Sequence, residues 1–248
     1  MILALAGGVG GARLAIGLAR VLPPRRLAIV VNTGDDFEHM GLTICPDLDT
    51  VLYTLAGLHN PVTGWGRRDE TWSALETFAR LGGETWFRLG DRDLALHVLR
   101  THALRQGMTL SQIIASLARR LGVRHAVIPM SDSAVRTRVL TAQGELSFQD
   151  YFVRLRCRPR VRGFRFAGAA RARAPTALAT LLASTDVQAV VIAPSNPYVS
   201  IAPILRVPAI RRWFTRRSVP VIAVSPIVGG AAIKGPAAKM MRELRAEA

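Results

Sequence analysis

Cysteine and lysine are scarce in this 248-residue chain, and no long apolar run is present. The two cysteines, Cys45 and Cys157, have no metal-ligand spacing and cannot form a disulfide framework, which excludes a zinc scaffold and a stapled secreted domain. No stretch reaches the roughly 18 uncharged apolar residues of a membrane span. The N-terminus has no basic region, and its first apolar stretch ends in glycines rather than a cleavage site. A soluble, cytoplasmic protein without a membrane partner is expected. Lysine occurs only at Lys234 and Lys239, so 31 of the 33 basic residues are arginine, a bias that a GC-rich genome would produce. Acid is short only in one part of the chain. Residues 1–100 carry 10 basic and 11 acidic residues, whereas residues 101–248 carry 23 and 6. No nucleic-acid motif accompanies this charge, so it reads as solvation or as attraction for a small anion, with no nucleic-acid partner expected.

Hydrophobic residues make up half of the chain, enough for the substantial core of one large domain. An opening strand, Met1–Ala6, runs into Gly7-Gly8-Val9-Gly10-Gly11 and then a helix from Ala12 to Val21. Such a turn lets backbone N–H groups approach a phosphate at a helix N-terminus. It is not a P-loop, because Arg13 stands where Gly-Lys-Ser/Thr would be needed, and it misses the dinucleotide fingerprint. A second strand, Leu27–Val31, ends in Asn32-Thr33-Gly34-Asp35-Asp36, and Glu38, His39, Asp47 and Asp49 follow within fifteen residues of Asp35. Carboxylates this dense repel one another unless a cation or donors compensate them. Hard oxygen ligands suit Mg²⁺, which takes one or two carboxylates plus substrate phosphates. The same acids could hold a ribose in a nicotinamide-dependent oxidoreductase. His97 and His102 stand five apart on a helix, wrong for a shared metal face, and read as structural.

Apolar spacing predicts helices over Leu48–Ala56, Asp69–Leu81, Asp91–Gln106 and Leu110–Leu121, the last capped by Thr109. Val123–Pro129 is a strand, and Arg136–Thr141 with Glu145–Phe152 form a hairpin. From Val153 to Val161 apolar residues and arginine alternate, which predicts a strand with a basic face. Strands at Ala189–Ala193 and Val219–Val224 end in polar turns, and Pro236–Ala248 is helix-like. The expected architecture is an α/β fold: a Rossmann-like open parallel sheet flanked by helices. Residues 60–170 would form a helical and β-hairpin insertion over the ligand crevice.

Nine segments occur in order: Gly7-Gly8-Val9-Gly10-Gly11-Ala12-Arg13, Asn32-Thr33-Gly34-Asp35-Asp36, His39-Met40-Gly41-Leu42, Ile44-Cys45-Pro46-Asp47-Leu48-Asp49-Thr50, Gly64-Trp65-Gly66-Arg67-Arg68-Asp69-Glu70-Thr71-Trp72, Leu89-Gly90-Asp91-Arg92-Asp93-Leu94-Ala95, Met130-Ser131-Asp132, Ala193-Pro194-Ser195-Asn196-Pro197 and Ser225-Pro226-Ile227. This series resembles the 2-phospho-L-lactate transferases of coenzyme F420 biosynthesis, which in bacteria include phosphoenolpyruvate transferases. The resemblance implies an Mg²⁺-dependent transfer of a phospholactyl, phosphoenolpyruvyl or phosphoglyceryl group from a guanosine diphosphate-linked donor. The acceptor would be the deazaflavin Fo, and GMP would leave. It implies metal contact and catalysis by Asp36 and Asp49, with Asp35 and Asp47 beside them, one carboxylate serving as metal ligand or as base. Gly8, Gly10, Gly11, Arg13 and Asn32 would bind the substrate, Ser195 and Asn196 the guanosine, and Trp65, Arg67 and Asp91 the deazaflavin. Members of that family run on past the position of Ala248 with a further strand and helix, and a homodimer is expected. Gluconeogenesis-factor-like proteins, which bind nucleotide sugars without transfer chemistry, share the glycine opening and are the alternative. The Gly64–Trp72 and Leu89–Ala95 segments favour the transferase.

Overall fold

A computed structural model describes residues 1–244. In chain order the elements are β1 (Ile2–Ala6), α1 (Gly8–Val21), β2 (Leu27–Val31), β3 (Phe37–His39), β4 (Leu42–Ile44), α2 (Pro46–Leu55), α3 (Ser73–Arg80), α4 (Asp91–Arg105) and α5 (Leu110–Arg120). Then come β5 (Ala126–Pro129), β6 (Arg136–Thr141), β7 (Gly144–Ser147), β8 (Val161–Ala167), α6 (Thr176–Ala183), β9 (Ala189–Ile192), α7 (Ala202–Arg206), α8 (Pro208–Arg216), β10 (Val221–Ala223), β11 (Ile227–Val228), β12 (Ala231–Ala232) and α9 (Ala237–Glu243). No helix among the described residues is long and apolar enough to cross a membrane.

Strands β10, β9, β1, β2 and β5 pair in that order, all parallel, giving the predicted helix-flanked open sheet. Strand β2 is buried on both faces, so it is a continuous apolar run rather than an alternating one. Successive side chains of β1 serve opposite layers. Ala4 and Ala6 join Leu48, Val51 and Leu52 of α2 and Ile114 of α5, while Leu3 and Leu5 join Leu178, Ile204 and Ile210 from α6, α7 and α8. From β1 the chain moves to β2 on one side, and β9 later pairs on the other. The turn after β1 therefore lies where the strand order reverses, the position at which ligands bind in open α/β sheets.

Two segments depart from expectation. Residues 60–170 contribute α3–α5 and an antiparallel sheet in the order β7-β6-β8, but they also supply β5 to the central sheet. The alternating stretch Val153–Val161 is not a strand. Ser147 Oγ donates to Asp150 Oδ2 (2.6 Å) and accepts from the Asp150 N–H (3.1 Å), ending β7. A π-helical turn, Asp150–Arg154, follows. Arg156 and Cys157 then take φ angles of 50° and 55°, left-handed values that no strand accommodates. Strand β8 starts only at Val161, where its side chain packs with Val139, Tyr151 and Met240. The helix-like C-terminus forms α9, and the last four residues of the predicted 236–248 helix lie outside the described residues.

Candidate functional site

The glycines after β1 form the first turn of α1, which begins at Gly8 rather than Ala12. Glycine disfavours helices, so propensity alone hides this start. What requires glycine is close approach. A Cβ on Gly7 would lie 2.6 Å from Asp47 Oδ2, one on Gly11 would lie 2.8 Å from Ser195 Oγ, and one on Gly10 would overlap the Pro194 carbonyl oxygen. Ser195 Oγ accepts from the Gly7 N–H (3.1 Å) and donates to the Gly7 carbonyl (2.8 Å), clamping the turn to the end of β9. Asn196 Oδ1 accepts from the Tyr198 and Val199 N–H groups at 3.0 and 3.4 Å. Both polar side chains thus shape the loop against which the glycines pack. The first turn of α1 carries no acidic residue and its N-cap no side chain, so its N–H groups present positive potential to an anion. Arg13 is exposed on the second turn of α1, and burial followed by the charge of Arg13 lowers the pKa of Lys234. Lys234 Nζ donates to the Thr63 carbonyl, so a second cation stands near the glycine turn.

Asn32 joins this turn to the carboxylates. Its amide donates to Asp47 Oδ2 (2.9 Å) and to the Val199 carbonyl (3.2 Å), and its Oδ1 accepts from the Gly34 N–H (2.8 Å). Asp35, Asp36 and Asp47 are all buried at the ends of β2 and the start of α2. Burial raises all three. Asp36 is pushed up to about 8 in spite of Arg136, and Asp47 to about 6, with Asn32 and the Gly8 N–H working against the rise. Asp35 lies well above the ordinary carboxylate range, through burial and then through the charges of Asp47 and Asp36. One oxygen each of Asp35 and Asp36 is buried without a hydrogen-bond partner. An unsatisfied buried carboxylate is costly, and a hard cation is the compensation this donor set fits. Cavities of about 150 and 190 Å³ flank Asp36 on its two sides.

Asp49 differs from its neighbours. Arg100, fully buried on α4, grips both of its oxygens, Nη1 donating to Oδ2 at 3.1 Å and Nη2 to Oδ1. Its carboxylate is therefore already neutralised by a bidentate charge-assisted pair. Asp49, Asp93 and His97 bring one ligand atom each within 4.8 Å of one another, the one such trio among the described residues. Within it Tyr53 donates to Asp93 Oδ1 (2.6 Å), His97 Nε2 lies 3.3 Å from the same oxygen, and Arg100 Nη1 lies 3.3 Å from His97 Nδ1. Asp93 is held below the usual range against its burial, by His97 and Tyr53. His97 Nε2 and Arg100 Nε are buried there without a hydrogen-bond partner, while the guanidinium that neutralises Asp49 opposes a cation beside it.

The segment 58–68 folds over the glycine turn, with Gly64 against Val9 and Arg68 donating its N–H to the Leu58 carbonyl. Trp65 is about half exposed there, and the Arg67 guanidinium sits 5.5 Å from the centre of the Tyr53 ring. Asp91 is used elsewhere. It accepts from Thr71 Oγ1 (2.6 Å) and from the Ser73 and Ala74 N–H groups (3.1 and 3.0 Å), satisfying the first turn of α3. Glu70 does the same for α4, accepting from the Arg92 N–H at 3.1 Å. The paired segments around Glu70 and Asp91 are reciprocal caps. Sequence reading missed Arg100, Lys234 and the Asp93–His97 pair. The i, i+4, i+7 spacing of Asp93, His97 and Arg100 was the available signal for the network, while Lys234 offered only its position beside Gly235 and Pro236.

The arrangement matches known proteins in sequence and shape. The family described as 2-phospho-L-lactate transferase CofD matches residues 2–248. A phosphoenolpyruvate transferase of Streptomyces griseus is 43% identical over 251 residues, covering 99% of this chain and 78% of the relative. A phosphoenolpyruvate transferase of Mycobacterium ulcerans is also 43% identical, covering 94% and 76%. A crystal structure of a UPF0052-family protein from Bacillus halodurans superposes with a TM-score of 0.62 at 16% identity. That superposition covers 88% of this chain and 66% of the other, and it supports the fold alone. With the whole described length matched and identity above two-fifths, this chain belongs to the 2-phospho-L-lactate transferase CofD family and is a transferase.

Proposed function

We propose that the chain acts in coenzyme F420 biosynthesis, transferring a phosphorylated three-carbon acid from its guanosine diphosphate conjugate to the deazaflavin Fo. An Fo side-chain hydroxyl attacks the phosphorus that carries the acid. The bond from that phosphorus to the bridging oxygen breaks, the hydroxyl proton is lost to a carboxylate or solvent, and GMP leaves. Transfer of this kind asks chiefly for alignment and charge compensation rather than a covalent nucleophile. The observation that carries this reading is the packing of Asp47 against the glycine turn of α1, beside the buried, partly unpartnered carboxylates of Asp35 and Asp36.

Residue roles follow from how each group is engaged. Backbone N–H groups of Gly10 and Gly11 receive the diphosphate, beside Gly8, whose N–H bonds Asp47, with Arg13 and Lys234 as its cations. Asp35 and Asp36 would hold Mg²⁺ through their unpartnered oxygens, with Asp47 beside them, and the ion would draw charge from the phosphate oxygens. Asp49, paired with Arg100, fixes α2 against α4 and so positions Asp47 two residues away. Ser195 and Asn196 support the nucleotide side by fixing the loop, and Asn32 by orienting Asp47. Trp65 and Arg67 border the acceptor side in the cover formed by residues 58–68. The test is turnover with Fo, Mg²⁺ and the lactyl, enolpyruvyl and glyceryl guanosine diphosphates, read by mass spectrometry. An Fo phosphodiester plus GMP is the expected result. Ligand binding by the folded protein with no product from any donor would overturn the transfer and leave a nucleotide-binding protein.

A further inference from the structure

The three-carbon acid is joined directly to the phosphate that moves, so its place must adjoin the carboxylates that serve that phosphate. Two cavities meet this condition, one on either side of Asp36. They differ in how their charge is committed. The smaller one, about 150 Å³, is walled by Asp35, Asp36 and Glu38 with Arg136 and Arg138, and the larger by Asp36 and Asp132 with Arg136, so each has one carboxylate more than it has arginines. Asp132 is spent on α5, which leaves the larger cavity the less hostile to a further carboxylate. The larger, about 190 Å³, lies between the ends of β2, β5 and α4 and the start of α5. Its volume is below the roughly 300–1,000 Å³ of drug-sized ligand sites and suits a group of a few heavy atoms.

The groups lining the larger cavity divide into spent and free. Asp132 accepts from the Ser111 N–H (2.7 Å) and Ser111 Oγ (2.9 Å), so its charge is committed to the start of α5. Ser131 Oγ donates to the Arg173 carbonyl (3.0 Å) and accepts from the Ser133 N–H (2.9 Å). Thr33 is 2% exposed, and its hydroxyl has no partner. Arg136 lies near Asp36 but forms no salt bridge among the described residues, and the only hydrogen bond of its guanidinium runs from Nη1 to the Val135 carbonyl (2.9 Å). Leu104, Leu110 and Ala134 complete the wall with apolar surface. A cation, an unsatisfied hydroxyl and an aliphatic wall form a complement to a small carboxylic acid with a short carbon skeleton.

We infer that this cavity is the subsite for the carboxylate of the transferred acid, with Arg136 and Thr33 holding the carboxylate and Leu104 and Leu110 facing the carbon skeleton. Met130-Ser131-Asp132 gains a purpose here that the nucleotide and metal roles do not give it: it fixes the cavity floor through Ser111 and Arg173. Arg136 and Thr33 then hold the carboxylate that the three candidate acids share, and Leu104 and Leu110 face the carbon skeleton that differs among them. This inference rests on the proposed transfer for the identity of its ligand, and its test is independent of turnover.

The experiment is equilibrium binding of phosphoenolpyruvate, 2-phospholactate and inorganic phosphate to the full chain with Mg²⁺ present. Loss of a charge-assisted hydrogen bond predicts that Arg136→Gln weakens both acids by about tenfold or more, while Thr33→Val weakens them by about threefold. Inorganic phosphate should bind Arg136→Gln within about twofold of the parent, because it lacks the carboxylate. Arg136→Lys, which keeps the charge and gives up the fork, should fall between the parent and Arg136→Gln. Equal binding of the acids by the parent and Arg136→Gln would overturn the subsite, as would a parent protein that binds the acids no better than phosphate. Should the binding differences appear without any Fo product, the subsite stands and the transfer reaction falls.

Discussion

Removing Arg100 should destabilise the chain far more than an average substitution, and Mg²⁺ should not repair the loss. Arg100 has no exposed surface, and the Asp49 side chain retains 7%. Arg100→Met therefore strands a carboxylate in the interior without its two donors, although His97 Nδ1 still lies 3.7 Å from Asp49 Oδ2. Breaking a buried pair by deleting one partner costs about 3–5 kcal/mol. For a chain of this length each kcal/mol shifts the melting temperature by about 2 °C, so Tm should fall by roughly 6–10 °C. Asp49→Leu alone should cost a similar amount by stranding the guanidinium. The double variant, which replaces the pair by apolar groups, should lose less than either single change, giving a coupling energy above about 2 kcal/mol. Scanning calorimetry of the four proteins, with and without Mg²⁺, supplies every term of the cycle. Additive losses, or a drop below about 2 °C for Arg100→Met, would refute the buried pair. Restoration of the Arg100→Met melting temperature by Mg²⁺, beyond its effect on the parent, would refute this assignment and return Asp49 to the metal ligands.

Other outcomes follow from the same structure. Gly10→Ala places a methyl group on the Pro194 carbonyl and should cost about 1–3 kcal/mol in urea unfolding. Gly17→Ala, with nothing within 4 Å of its Cβ, should gain up to about 1 kcal/mol from helix propensity. Because Asp36 and Asp47 titrate near 8 and 6 when folded, above their unfolded values, the folded state binds protons that the unfolded state has released. Stability measured in chelator should therefore fall from pH 5 to pH 8, and the gain on adding Mg²⁺ should be larger at pH 8 than at pH 5.5. A flat chelator profile would count against burial of these acids. Lys234→Ala should weaken GDP about tenfold by calorimetry, and unchanged affinity would remove it from the phosphate site.

How much of this was legible in the sequence depends on the range of the interactions involved. Strand β2 can be read to its last residue, because a run buried on both faces is continuously apolar and stops at Asn32. Helix α5 is equally plain, since Thr109 and Gln112 form a local capping box. The early start of α1 is not legible, because glycine helices are justified only by the Asp47, Pro194 and Ser195 neighbours that the fold brings to them. Val153–Val161 alternates as a strand does, yet the Ser147–Asp150 turn and two left-handed residues decide its shape. The carboxylate cluster was visible as a cluster. Its division into Asp35 and Asp36, each with one unpartnered oxygen, and neutralised Asp49 was not, since Arg100 lies 51 residues from Asp49.

The hydroxyl of Ser195, bonded to both the N–H and the carbonyl of Gly7, has a consequence for synthesis. These residues are 188 apart in the chain. At a translation rate of about 5–20 residues per second, the glycine turn waits roughly 10–40 s on the ribosome before its clamp exists. Over that interval β1, destined for the middle of the sheet, has β2 but lacks β9, so Leu3 and Leu5 await the partners that will cover them. Closure of so distant a pairing is the slow kind of folding event. The nascent chain therefore carries an open sheet edge while the 188 residues from Gly8 to Ser195 are made, and the glycine turn is completed only after Ser195 has emerged.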